Sequence, residues 1–71
     1  MSDPVYHKVE VIGTSAVSIE DAIAKGVAAA APSADTHHTD WFEVQEVRGA
    51  VREGKVQQYQ VVMKVGLRLK A

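Results

Sequence analysis

"KVQQYQVVMKVGLRL", Lys55 to Leu69, carries the clearest pattern in the chain. Its odd positions, Tyr59, Val61, Met63, Val65, Leu67 and Leu69, are nearly all apolar. Its even positions, Gln58, Gln60, Val62, Lys64, Gly66 and Arg68, are mostly polar. Period-2 alternation over such a length predicts a long strand with one face on a core and the other on something more polar. Upstream, "DWFEVQEVRG" (Asp40 to Gly49) predicts a second strand over Trp41 to Arg48. Residues 49 to 54, containing Glu53-Gly54, are expected to reverse the chain between the two.

Towards the N-terminus, Tyr6 to Ile12 is rich in Val and Ile and predicts a first strand, with Val9 and Val11 inward and Gly13 at its end. "GTSAVS" is turn-forming, and Ser18 with Asp21 three residues on has capping-box spacing, so a helix is expected to start there. Ile19, Ile23 and Val27 fall on one stripe of that helix. Pro32 lacks an N–H and ends or kinks it. "APSADTHHTD" is polar and weakly patterned, and is expected to form a kink, a short second helical turn or an irregular loop. The fold class is therefore α+β with β-α-β-β order, a sheet packed on one helix, in a single domain spanning residues 1–71.

At 71 residues the chain buries only about 60% of the surface its unfolded form exposes. Domains of this size often rely on a staple or an oligomer. With no Cys, disulfides and thiolate metal sites are excluded. The net charge of −1, with both signs mixed along the chain, gives no footing for electrostatic capture of nucleic acid or membrane. The longest nearly apolar run is too short to span a bilayer, and the N-terminus lacks a signal-peptide layout, so a cytoplasmic location is expected.

The alternation has a consequence for the only Trp and the only Phe, which are adjacent. Neighbours in a strand point to opposite faces. With Phe42 and Val44 inward, Trp41, Glu43, Gln45 and Val47 are expected on the outer face, beside Gln58, Gln60, Val62, Lys64, Gly66 and Arg68, provided no bulge intervenes. An oligomer that buries this face would account for it. Trp41 is then either an interface anchor or a stacking platform for a flat heteroaromatic ligand. Gln58 and Gln60 are either solvated or paired with a ligand edge, since buried amides need partners. Arg48, Lys64 and Arg68 suit either a phosphate or ion pairs with Glu43 and Glu46. The rings of His37 and His38 diverge and no carboxylate at helical spacing completes a metal site. "GTS" lacks the glycine spacing and Lys of a phosphate loop, and no Ser has a patterned base, so no catalytic set can be argued.

"VYHKVEVIGTS", a capped helix, "DWFEVQEVRG" and "YQVVMKVGLRL", in this order and spacing from Val5 to Leu69, resemble the dodecin family. The resemblance implies a three-stranded antiparallel sheet around one helix, assembled as a hollow homo-dodecamer. It implies that Trp41 stacks on an isoalloxazine ring, with symmetry-related copies sandwiching a flavin pair, and that Gln60 bonds the polar edge of the flavin. Gln58 is its neighbour on the same face, and Arg48 and Arg68 stand in matching motifs as candidates for phosphate or assembly contacts. The implied ligand is FMN, with riboflavin, FAD or coenzyme A as alternatives, and the implied role is storage rather than turnover. The chain departs from the family pattern at Pro32, Thr36 and Thr39, where large apolar residues are usual before the Trp, and at Leu67, where Phe usually precedes the Arg. Two other readings compete: a structural assembly or partner-binding module anchored by Trp41, and a small enzyme using a bound flavin.

Overall fold

A computed structural model describes residues 3–30 and 37–69. The elements are β1 (Tyr6–Ser15), α1 (Ile19–Ala30), β2 (His37–Arg52) and β3 (Lys55–Leu69). They form a three-stranded antiparallel sheet in the order β1-β3-β2, with the helix on one face. The expected fold class stands. The central strand is the one with the strongest alternation, because only a strand paired on both edges and covered on one face needs every second residue apolar along its length.

Val61, Met63, Val65 and Leu67 of β3 are buried, and Val9 and Val11 of β1 pack beside them. Leu69, at the end of the same apolar series, stays exposed. The helix meets the sheet differently from the expected stripe. Ala22, Gly26 and Ala30 are the buried face, Ile23 and Val27 flank it, and Ile19 is exposed. Small residues win this face because the helix lies unusually close to the sheet. A Cβ on Gly13 would overlap the carbonyl of Ala22, and one on Gly26 would come within 2.7 Å of Met63 Cε. Gly13 therefore does not end β1, which continues to Ser15; it is the place where the helix backbone touches the strand.

Ser15 then organises the turn into α1. Its buried hydroxyl donates to Asp21 Oδ2 at 2.6 Å and accepts from the N–H groups of Val17 at 2.9 Å and Ser18 at 3.3 Å. Ser18 Oγ accepts from the Asp21 N–H at 3.0 Å, which is half of the expected capping box. The other half is rerouted. The Asp21 carboxylate binds the Ser15 hydroxyl, and Ser15 serves the Ser18 N–H. Lys25, one turn on, lies 3.0 Å from Asp21. The hydroxyl and the ammonium together hold the Asp21 carboxyl below the usual carboxylate range.

β2 is longer at both ends than the expected Trp41–Arg48. Its N-terminal end takes in His37 to Asp40, where a loop or helical turn was expected; residues 31–36, with Pro32 and Thr36, lie outside the described residues. Thr39 lies in β2 opposite Leu67. The expected reversal over residues 49 to 54 shrinks to Glu53-Gly54, both at positive φ (52° and 75°), as a two-residue hairpin turn requires.

The register of β2 on β3 shifts at three places, between Thr39 and Trp41, Val44 and Glu46, and Ala50 and Val51. The middle shift corrects the expected outer face. Trp41 and Glu43 pair with Gly66 and Lys64 and do face outward. Gln45 is the extra residue, so beyond it the parity inverts. Val47 pairs with Val61 on the helix side, and Glu46 and Arg48 join Val62 and Gln60 on the outer face.

Candidate functional site

The outer face divides into two clusters at opposite ends of the sheet. The first is aromatic. Tyr6 on β1 lies opposite Arg68, and Trp41 on β2 lies opposite Gly66. Gly66 has no side chain to fill the space between the flanking strands. The Trp41 indole occupies it, so closely that a Cβ on Gly66 would overlap Trp41 Cε2. Across that gap the indole meets the Tyr6 ring, with centroids 4.7 Å apart and planes inclined at 51°. Trp41 is 38% exposed, so the indole is held from the sheet side and open on the other. Asp40 completes the cluster: the Tyr6 hydroxyl donates to Asp40 Oδ2 at 3.1 Å, and Arg68 Nε lies 3.4 Å from the same oxygen. The Tyr6 phenol is pushed up from its ordinary value by loss of solvent and by the Asp40 carboxylate, against the opposing charge of Arg68.

The second cluster is polar. Arg48 Nε donates to Gln60 Oε1 at 2.8 Å, and Gln60 Nε2 donates to Gln58 Oε1 at 3.0 Å. Arg48 Nη1 lies 3.5 Å from Glu46 Oε1. The chain of bonds fixes which way the Gln60 amide points. Gln60 keeps one lone pair and one N–H unused, an acceptor and a donor side by side. Such a pair complements the imide edge of a flat heterocycle, which offers an N–H next to a carbonyl.

The structure therefore brings Arg48, Gln58 and Gln60 together and sets them apart from Trp41 and Arg68. Gln60 is six residues from Gly66 along β3, about 20 Å at the rise of a strand. The backbone positions that carry the indole and the Gln60 amide are thus well separated within one chain. Between the clusters, Lys8 bridges Glu43 at 2.6 Å across the sheet, an exposed pair of small energetic weight.

Tyr6 and Asp40 were not singled out from the sequence. The available signal was Gly66, the one outward position of the β3 alternation without a side chain and hence the place where residues of the flanking strands can meet. Finding Tyr6 from that signal needs the β1-β3 register, which only the structure supplies. Among the described residues no group of three or more His, Cys, Asp or Glu is placed to hold a metal ion, and no helix is long and apolar enough to cross a membrane.

Comparison with known proteins agrees with this architecture. The family model for dodecin matches residues 5–70. A dodecin from Thermus thermophilus is 49% identical over 65 residues, which are 92% of this chain and 91% of that protein. The solved structure of dodecin from Streptomyces davaonensis superposes with a TM-score of 0.86 at 40% identity, covering 99% of this chain and 100% of that one. The dodecin of Streptomyces coelicolor does so with a TM-score of 0.84 at 38% identity, covering 100% and 99%. The chain belongs to the dodecin family.

Proposed function

We propose that this protein stores flavin without turning it over, as a homo-oligomer, a dodecamer by family, in the cytoplasm. The observation that carries the reading is the Trp41 indole, seated over Gly66 with its far face open. An indole plane held this way suits a flat heteroaromatic ring. The Gln60 amide, oriented by Arg48 and backed by Gln58, suits the imide edge of an isoalloxazine. The residues fit the group only if two or more copies contribute, because the two clusters lie at opposite ends of one chain's face. A symmetric assembly supplies both from one sequence and doubles each indole. Bound flavin would supply a redox-active, light-absorbing ring. The chain's part is to stack it, bond its edge and donate an electron to its excited state, which quenches it.

The two arginines enter this reading unequally. Arg48 acts through Gln60 as a positioning residue, and Arg68 is engaged by Asp40. A phosphate contact, which favours FMN over riboflavin, requires either guanidinium to turn from these partners or to use its remaining N–H groups. Binding of coenzyme A has no separate site of its own in this reading.

The test is a fluorescence titration of FMN and riboflavin with the apo-protein, run beside size-exclusion chromatography. Strong quenching at about one flavin per chain on a large closed oligomer is expected. Trp41→Ala is expected to abolish the quenching and leave the oligomer. An intact colourless oligomer that ignores both flavins, and that falls apart with Trp41→Ala, would instead make Trp41 an assembly anchor.

A further inference from the structure

The aromatic cluster holds more than a stacking platform needs. Tyr6 touches the one Trp of the chain, and its hydroxyl is hydrogen-bonded to a carboxylate rather than left to water. A phenol gives up an electron readily only if its proton can leave at the same time, since the protonated phenoxyl radical is a very strong acid. Asp40 Oδ2, at 3.1 Å, is a base already in place for that proton. The ring centroids, 4.7 Å apart, put Tyr6 and Trp41 in van der Waals contact, where a single electron passes without an intermediary. Tyr59, the other tyrosine, faces the opposite way on β3, seven positions from Gly66.

We propose that Tyr6 and Asp40 form an electron–proton relay that re-reduces Trp41 after it has been oxidised. This rests on the flavin reading for its oxidant, a light-excited isoalloxazine, which takes one electron from Trp41 and leaves an indole radical cation. Tyr6 gives one electron to that radical cation. Its O–H bond breaks, and the proton passes to Asp40 Oδ2. Trp41 is restored, Tyr6 is a neutral phenoxyl radical, and Asp40 is a carboxylic acid. When the electron returns from the reduced oxidant to Tyr6, the proton returns from Asp40, and no net change remains. The relay moves the oxidising equivalent off the indole, which faces the ligand, to a phenol on β1, across the central strand. Arg68, 3.4 Å from Asp40 Oδ2, holds the carboxylate in place as a positioning residue.

The relay can be tested without any flavin. Azide radical, generated by pulse radiolysis, oxidises tryptophan selectively in the apo-protein, and the indolyl and phenoxyl radicals have separate visible bands. Wild type and Tyr59→Phe are expected to show the indolyl band decaying as the phenoxyl band rises, at a rate independent of protein concentration. Tyr6→Phe keeps the ring and removes the hydroxyl. It is expected to lose the phenoxyl band and lengthen the life of the indolyl radical. Asp40→Asn is expected to slow the transfer severalfold while circular dichroism stays that of wild type. A phenoxyl band that survives in Tyr6→Phe but vanishes in Tyr59→Phe, or an indolyl radical that never transfers in wild type, would overturn the relay. Transfer unaffected by Asp40→Asn would overturn Asp40 as the proton acceptor. The flavin titration is separate: if flavin fails to bind but the radical moves, the relay stands and its natural oxidant is something else.

Discussion

At the scale of single residues, the decisive positions are those with no side chain. Gly66 makes room for the indole, and Gly13 lets the helix touch β1. Their consequences differ because their neighbours differ. At Gly13 the obstacle is a backbone carbonyl, which cannot move without moving the helix. At Gly66 the obstacle is the Trp41 ring, which can swing outward into open space. Gly66→Ala is therefore expected to leave the fold intact and displace the indole, at a cost in stability of about 1–3 kcal/mol. Its tryptophan emission should change, and its flavin affinity should drop at least as far as with a conservative change at Trp41. Unchanged emission and unchanged FMN binding would mean that the seat over Gly66 plays no part in the site. The sequence makes Trp41 conspicuous, as a large aromatic on a polar face, whereas Gln60 fits the β3 alternation and stands out only through the family resemblance. It leaves Tyr6 unremarkable, because a Tyr near the start of a strand is common, and its meaning arises from a partner on another strand.

At the scale of elements, legibility tracks how far each segment's pattern depends on its neighbours. β3 is paired on both edges and packed under the helix, so its alternation is complete and can be read directly. β2 is an edge strand. Its inner residues Phe42 and Val44 remain 46% and 42% exposed, because the helix covers β1 and β3. Its alternation is interrupted by the bulge at Gln45, and a bulge is a property of the pairing rather than of one strand. Assigning Val47 outward and leaving Arg48 off that face follows from reading β2 alone. The helix start was legible to the residue, but its cap was not, because the Asp21 carboxylate reaches Ser15 instead of closing the box. That bond has a pH signature. A carboxyl held low in the folded chain contributes stability above its unfolded value, about 3.9, and loses it as pH falls through the lower folded value. At fixed protein concentration, wild type should unfold at a higher temperature than Asp21→Asn near neutral pH. The gap should close as the pH drops below about 4. A gap that persists undiminished at the most acidic pH tolerated would show that charge on Asp21 is irrelevant to the cap.

At the scale of the whole molecule, neither face of the sheet is finished within one chain. On the helix side an apolar groove of about 550 Å³ runs between α1 and β2, lined by Ile23, Ala24, Val27, Ala28 and Phe42 with Glu20 at its rim. A second copy of the chain is the expected occupant of that groove. Phe42→Glu would place a second carboxylate near Glu20 in an apolar contact. It is expected to shift the protein to smaller species in size-exclusion chromatography, and an elution volume equal to wild type would show that this groove is not part of the assembly. The outer face carries the larger implication. Gly66, beneath the indole, and Gln60 stand about 20 Å apart along β3, so on the proposed reading a flavin site draws on more than one chain. A flavin bound as proposed would fasten subunits together, and mass action would then run both ways: a full load is expected to raise the temperature at which the assembly melts, and dilution to the point of dissociation to empty it.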